Sequence, residues 1–83
     1  MQIQVFNLSL NIGNTELTKL FSAYGSVSSV EVVRDKLNGR SKGNALVSMP
    51  IEAEAKQAII SLDQTLMDGK KIKVNEKNAA IEW

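Results

Sequence analysis

The chain of 83 residues is 43% hydrophobic, a length and composition that predict one globular core rather than two. Ten Lys and Arg residues against nine Asp and Glu residues leave a net charge of +1, so no strong overall field draws the protein toward polyanions. The sequence has no Cys and no His, which removes disulfides, the usual metal ligands and the usual general base, and no apolar run approaches the ~20 residues that span a bilayer. We therefore expect a cytoplasmic domain that is not an enzyme, needs no cofactor and does not enter a membrane.

A strand and a helix are predicted in the first third of the chain. Residues 2–8 alternate with period two, which places Gln4 and Phe6 together on the face away from the core. In residues 15–24 the apolar side chains recur at helical spacing, and Gly25 is expected as the C′ residue that ends this helix.

Two further strands are predicted next, joined by a turn. Residues 27–34 are rich in Val and alternate again, which is typical of a strand. Asn38 and Gly39 form a pair that accepts positive φ in a tight hairpin turn. We therefore expect the third strand, residues 42–49, to return antiparallel to the second.

The last third of the chain predicts a second helix and a fourth strand. Pro50 suits the first turn of a helix, and apolar side chains follow one helical face through residues 51–62. Asp68 and Gly69 indicate another turn, after which residues 71–75 alternate as a strand.

The resulting order, β-α-β-β-α-β, predicts an α+β, ferredoxin-like sandwich in which a four-stranded antiparallel sheet carries both helices on one face. The other sheet face is then open. We expect residues 1–77 to form this domain and residues 78–83 to form a C-terminal tail. Because exposing the large apolar area of Trp83 is costly, a tail docked on the sheet is favoured over a free one.

Two motifs resemble those of the RNA recognition motif family, and the resemblance covers nearly all of residues 1–77. The segment "IQVFNL", residues 3–8, resembles the first-strand signature of the family, and "KGNALVSM", residues 42–49, resembles its third-strand signature. The segment "LMDGKKIKVNEK", residues 66–77, is similar to the family's last loop and strand. The chain resembles small single-domain bacterial members of the family more than the long multidomain eukaryotic ones.

The resemblance implies binding of single-stranded RNA on the open sheet face, with single-stranded DNA as a further ligand. The family binds RNA chiefly by stacking on three outward aromatic side chains, and their places are taken here by Gln4, Asn44 and Leu46. Because each stacked base contributes roughly 1–3 kcal/mol, the loss of two base platforms lowers the expected affinity about 30-fold to 10⁴-fold. The resemblance therefore implies weak RNA binding of low specificity.

Other side chains on and around this face offer different contacts. Phe6 is an outward ring two residues beyond Gln4, and planar amides can hydrogen-bond base edges without stacking on them. Basic side chains can contact phosphates, although ordinary solvated charge is an alternative interpretation for them. The candidate RNA-binding residues are Gln4, Phe6, Arg40, Lys42, Asn44, Leu46, Lys73 and Asn75.

A second hypothesis is a protein-interaction or self-association domain of the same fold. In the family's strand order, 4-1-3-2, Phe6, Val33 and Leu46 would be neighbours, and an apolar patch on a normally wet face indicates a protein partner or a homodimer. Packing of Phe6 beneath the tail is a third interpretation. An enzyme of similar topology, such as an acylphosphatase, lacks support because the sequence shows no phosphate loop and no nucleophile with its base. RNA binding is favoured because Lys42 and Gly43, at the start of the third strand, match the basic residue and the glycine of the family's third-strand signature.

Overall fold

The computed structural model describes residues 1–77, apart from the side chain of Lys42, so the predicted tail with Trp83 lies outside the described residues. The described elements are β1 (Gln2–Phe6), α1 (Asn14–Ser22), β2 (Ser29–Arg34), β3 (Ser41–Ser48), α2 (Glu52–Leu62), β4 (Leu66–Met67), β5 (Lys70–Lys71) and β6 (Lys73–Glu76). Neither helix in this part of the chain is long and apolar enough to cross a bilayer. The predicted β-α-β-β-α-β order is confirmed, with a small extra hairpin, β4–β5, inserted before the last strand.

The main sheet has the strand order β2-β3-β1-β6, and its neighbouring strands are all antiparallel. This is the predicted order, with β6 as the fourth long strand. The N-terminal strand is therefore central, between β3 and the last strand. The hairpin β4–β5 forms a separate two-stranded sheet.

The core lies between the two helices and one face of the main sheet. Ile3 and Val5 of β1 have no exposed area, as their period-two spacing predicts, and Leu17 and Phe21 of α1 are equally buried. The other buried apolar side chains on these elements are Val32, Ala45, Val47, Ala55, Ala58, Leu62 and Val74. Because residues of both helices join the same cluster as the inward residues of all four strands, both helices pack on one face, as expected.

The helices agree with the predicted ranges to within two residues at each end. Helix α1 begins after Gly13, whose backbone N–H donates to Glu16 Oε2 at 2.9 Å, half of a capping box. The helix ends at Ser22 with Ala23 as its C-cap, so the C′ residue is Tyr24, and Gly25, the predicted C′, lies one position beyond it. Helix α2 begins at Glu52 after the N-cap residue Ile51.

The strand boundaries differ more, because single residues interrupt the alternation. Strand β1 ends at Phe6 rather than at residue 8, because Asn7 adopts φ 61°. The predicted antiparallel return of β3 on β2 is confirmed, but the turn at Asn38 and Gly39 is wider than predicted. Only Gly39 of the pair has positive φ, and its backbone N–H donates to the Asp35 carbonyl at 2.9 Å. The turn at Asp68 and Gly69 is confirmed, with φ 53° and 79°.

Candidate nucleic-acid interface

Cross-strand pairs define rows of side chains on the sheet face opposite the helices. Glu31 pairs with Leu46, Leu46 with Gln4, and Gln4 with Asn75, which makes a continuous middle row from β2 to β6. Directly opposed side chains lie about 4.5–5.5 Å apart at Cβ, so this row is a contiguous surface. It brings together three of the predicted site residues.

A second row lies one pleat further along β1. Phe6 pairs with Lys73, and continuing the register one step past Val5 and Ala45 places Asn44 on the other side of Phe6. Phe6 and Asn44 are half-buried, whereas Lys73 is exposed at the edge of the sheet. The ring therefore stands between an amide and a cation, which suits a nucleotide whose base stacks and whose phosphate needs a positive charge.

Gln4 departs from the expected open face. Its side chain has no exposed area, and neither Nε2 nor Oε1 has a hydrogen-bond partner among the described residues. The prediction of an accessible amide at this position is therefore wrong. The direction of the side chain was predicted correctly, because Ile3 and Val5 on either side of it point into the core.

The predicted apolar patch exists only as a diagonal arrangement. Val33 lies on β2 and Phe6 on β1, and β3 separates these two strands, so the two residues are not direct neighbours. Leu46 pairs with Gln4 on β1, two residues before Phe6. It also pairs with Glu31 on β2, two residues before Val33. Leu46 is therefore the diagonal neighbour of both apolar side chains. The three side chains are half-buried. Val33 and Phe6 therefore lie on opposite sides of β3, both displaced from Leu46 in the same direction along the strand.

A glycine bulge shapes the start of β3. The β2–β3 register shifts between Val32 and Arg34, and Gly43 within the shift has φ 79°. The backbone N–H of Leu8 donates to the Gly43 carbonyl at 2.9 Å, and a Cβ at Gly43 would lie 3.2 Å from the Leu8 carbonyl oxygen. The family glycine is thus required by both its dihedral angle and the close approach of the chain that leaves β1.

The Asn-Leu pair that ends the first motif has a matching structural reason. Asn7 turns the chain out of β1 with φ 61°, a conformation that Asn tolerates better than most residues, and its Nδ2 donates to the Lys71 carbonyl at 2.8 Å. Leu8 then enters the core with 1% of its surface exposed. These contacts tie the end of β1 to β3 and β5, and so hold the outward residue Phe6 in a defined place.

Positive charge is concentrated at the β2–β3 loop and along β6. Arg40 and Lys73 are exposed as predicted, while the side chain of Lys42 lies outside the described part of the structure. Arg34 and Lys36 lie at the same loop but are not among the predicted RNA-binding residues. Their closeness to Arg40 in the sequence could have indicated them. The ion pair found within residues 1–77 joins Lys56 and Glu52 at 3.3 Å on α2, away from this surface. Among the described residues, Arg40 and Lys73 therefore form no ion pair with a carboxylate.

The β2–β3 loop is held by one carboxylate. Asp35 Oδ1 accepts the backbone N–H groups of Leu37 and Asn38 at 2.7 and 3.3 Å. Asn38 Oδ1 in turn accepts the N–H of Arg40 at 2.9 Å. The loop that carries the basic residues is therefore ordered by its own side chains, and the side chain of Leu37 at its tip is almost fully exposed.

A shallow apolar depression of about 440 Å³ lies on another part of the surface, between α1 and the β4–β5 hairpin. None of the predicted site residues lines it. Its lining residues are Glu16, Lys19, Leu20, Ala23, Tyr24 and Met67. Within the described residues, no group of carboxylates is arranged to hold a metal ion.

The described residues thus form a small domain in which a four-stranded antiparallel sheet packs both helices on one face and has a glycine bulge at the start of β3. A model of the RNA recognition motif matches residues 3–73. The chain belongs to the RNA recognition motif family. It is similar to the putative RNA-binding protein RbpE of Nostoc sp., with 41% identity over 76 residues that cover 92% of this chain and 77% of the relative. The predicted resemblance to small bacterial members of the family is confirmed.

Solved structures agree with this assignment. The RNA binding protein PG1 superposes with a TM-score of 0.92 and 36% identity, covering 99% of each chain. A Sxl-lethal protein/RNA complex is similar with a TM-score of 0.86 and 32% identity, over 92% of this chain and 47% of that one. The chain spans only about a quarter to a third of the length of the chloroplast ribonucleoproteins of Nicotiana sylvestris and Spinacia oleracea that it also matches.

Proposed function

We propose that the protein is a non-enzymatic RNA-binding protein of the cytoplasm, and that it binds single-stranded RNA on the sheet face opposite the helices. One observation carries the proposal: Phe6 pairs with Lys73 on this face, beside the glycine bulge at the start of β3. A ring and an adjacent cation are the two elements that a single-stranded nucleic acid needs, one for a base and one for a phosphate. Family membership and the names of the relatives support the same ligand.

The proposed binding residues act by different physical means. Phe6 stacks on a base, Arg40, Lys42 and Lys73 contact phosphates, and the planar amides of Asn44 and Asn75 hydrogen-bond base edges. The remaining members of the proposed site, Gln4 and Leu46, form the floor between these rows.

The proposed affinity is low because the described residues of this face include one aromatic ring, that of Phe6. Each stacked base contributes roughly 1–3 kcal/mol, and the places where the family has its usual rings hold an amide, an amide and an aliphatic side chain. The phosphate contacts carry no sequence information. The amides of Asn44 and Asn75 are then left to distinguish bases, and two short side chains can contact few base edges. The proposed binding is therefore of low specificity, and single-stranded DNA is bound as well.

The test is a titration of the full chain with random single-stranded RNA of eight nucleotides, followed by backbone amide chemical shifts. We expect perturbations on β1, β3, β6 and the β2–β3 loop, and none on the outer face of α2. Single-stranded DNA of the same length measures the preference for RNA, and inorganic polyphosphate serves as a control that has charge without bases. Perturbation by polyphosphate equal to that by RNA, or no perturbation of β1 and β3 by RNA, would contradict the proposal.

A second candidate function is self-association or capture of a protein through Phe6, Leu46 and Val33. The observation in its favour is that Leu46 on β3 is the diagonal neighbour of both Val33 on β2 and Phe6 on β1, so three adjacent strands each contribute one apolar side chain to this face. Sedimentation velocity of the free chain over a hundredfold range of concentration tests it. A monomer throughout the range excludes a homodimer on this face.

A further inference from the structure

The β2–β3 loop contains a pair of residues that is chemically labile in flexible chains, Asn38 followed by Gly39. Of the seven Asn residues of the sequence, Asn38 is the only one that precedes a Gly. Both residues are exposed, and a Cβ added at Gly39 would meet nothing within 4 Å. The peptide bond between them is therefore uncrowded and open to water.

A hydrogen bond prepares the side-chain amide of Asn38 for attack by a nucleophile. The backbone N–H of Arg40 donates to Asn38 Oδ1 at 2.9 Å, which is an Asx turn that folds the Asn side chain toward the two residues after it. When a nucleophile attacks the amide carbon, negative charge develops on Oδ1, and an N–H that already donates to this oxygen stabilises the charge. The Arg40 N–H is therefore placed as an oxyanion donor.

A second hydrogen bond holds back the nucleophile, which is the backbone nitrogen of Gly39. Its N–H donates to the Asp35 carbonyl at 2.9 Å, and Asp35 Oδ1 accepts the N–H groups of Leu37 and Asn38. Because the nitrogen must lose its proton to attack, it reacts only when the bond to Asp35 is broken. The rate in the folded protein is then the rate of a flexible peptide multiplied by the fraction of molecules in which the loop is open.

We propose that Asn38 is a site of spontaneous deamidation, that the hydrogen bonds of Asp35 set its rate, and that the reaction weakens RNA binding. The Gly39 nitrogen attacks Cγ of Asn38 and loses its proton, and the Cγ–Nδ2 bond breaks with release of ammonia. A cyclic imide, the succinimide, is formed. Water then opens the ring, giving aspartate when the bond from nitrogen to Cγ is cut, and isoaspartate when the bond from nitrogen to the main-chain carbonyl carbon is cut.

Both products carry a carboxylate where the amide was neutral, and the loop around them is basic. Arg34 Nη1 donates to the Gly39 carbonyl at 3.3 Å, and Lys36 and Arg40 are exposed in the same loop. The net charge of the chain falls by one, from +1 to 0. The new charge attracts Arg40, which is proposed to contact phosphate, and it repels the RNA backbone. This consequence rests on the proposed RNA-binding function, whereas the chemical reaction does not.

The first experiment detects the reaction without RNA. The full chain is kept in mildly alkaline buffer, and samples taken over time are digested with trypsin, which cuts after Lys36 and Arg40 and so isolates residues 37–40. Mass spectrometry measures the deamidated fraction, and methylation by an isoaspartate methyltransferase measures isoaspartate. We expect conversion at Asn38 ahead of the other six Asn residues, and much slower conversion in Asn38→Gln, whose side chain would close a larger ring. Conversion at Asn38 no faster than at the other six would overturn the site.

The second experiment tests the control of the rate by the loop. A synthetic peptide of residues 35–41 gives the rate without the fold, and the folded chain should be slower. Asp35→Ala removes the acceptor of two N–H groups and should raise the rate several-fold toward that of the peptide. Asp35→Asn keeps an oxygen at Oδ1 and should stay close to the rate of the unchanged chain. Equal rates in the peptide and the folded chain, or an unchanged rate in Asp35→Ala, would overturn this control.

The third experiment measures the effect on RNA binding. Asn38→Asp carries the charge of the product from the start, so we expect it to bind random single-stranded RNA several-fold more weakly. The slope of log affinity against log salt concentration should be smaller in magnitude by about 0.7, the contribution of one phosphate contact. Gln57→Glu adds the same charge at an exposed position on α2 and should change neither quantity.

The outcomes of the third experiment separate the two proposals. Equal RNA affinity of Asn38→Asp and the unchanged chain would overturn the effect of deamidation on binding. Failure of every variant to bind RNA would refute the proposed function, and the conversion measured by mass spectrometry would still support the deamidation site.

Discussion

The Gly43 carbonyl and the Leu8 N–H join the two motifs that identify the family. The positive φ of Gly43 acts against any larger residue, and so does the Leu8 carbonyl oxygen, which would lie 3.2 Å from a Cβ at this position. Sequence predicts a glycine here only as a family feature, because neither the dihedral angle nor the approach of a distant segment is visible in a local pattern. The residue is thus needed for the shape of the face rather than for contact with RNA.

Replacing Gly43 with Ala should lower the free energy of unfolding by roughly 1–3 kcal/mol, since the new side chain meets both the dihedral strain and the nearby backbone. Urea unfolding followed by circular dichroism measures the change. Gly69→Ala is the matched control: Gly69 has the same φ of 79°, but a Cβ added there would have nothing within 4 Å. Equal losses for the two variants would show that the contact with Leu8 adds nothing to the strain.

Replacing Phe6 with Ala should weaken RNA binding by roughly 1–3 kcal/mol, because it removes the outward ring that pairs with Lys73. Fluorescence anisotropy of a labelled random RNA gives the affinity, and sedimentation gives the size. Ile60→Ala on α2, where the side chain is 74% exposed, is the control and should leave RNA binding unchanged. Loss of a dimer with unchanged RNA affinity would favour the protein-interaction alternative, and loss of stability alone would indicate packing of the ring.

Among the helices and strands, the sequence predicts those that have a clear hydrophobic period or are bounded by recognisable turn residues. Both helices and the four long strands follow from period 3.6 and period two, and the sheet order follows from the family resemblance. Strands β4 and β5 have two residues each, too few to show any period, and they were missed. Period two also assigns Gln4 to a face without saying whether that face is covered, which is why its burial could not be predicted.

The β2–β3 loop gives a prediction at this scale. Asp35→Ala removes the acceptor of two backbone N–H groups and should lower stability by roughly 1–2 kcal/mol, with faster hydrogen exchange of the Leu37 and Asn38 amides. Asp35→Asn keeps an oxygen at Oδ1 and should retain most of the protection. Unchanged exchange in the Ala variant would show that the loop is ordered by other contacts.

For the whole molecule, a net charge of +1 makes local cations decisive for RNA binding. If Arg40, Lys42 and Lys73 each neutralise one phosphate, the logarithm of the affinity should fall with the logarithm of salt concentration at a slope of about −2, taking ~0.7 per contact on single strands. Anisotropy titrations at several KCl concentrations measure this slope.

Lys73→Ala should reduce the magnitude of that slope by about 0.7. Lys56→Ala should leave it unchanged, because Lys56 lies on α2 in an ion pair with Glu52. A slope near zero together with tight binding would argue against phosphate contact as the main attraction.

The central place of the N-terminal strand has a consequence for how the chain acquires its fold during synthesis. Gln4 pairs with Asn75, seventy-one residues later, so one edge of β1 has no partner until almost the whole described chain has left the ribosome. The β2–β3 hairpin and α1 involve near neighbours in sequence and form early, whereas closure of β1 against β6 carries the largest loop-closure entropy. We therefore expect the sheet to close only after β6 has been synthesised, and until then the first strand presents an unpaired edge that other nascent chains can bind.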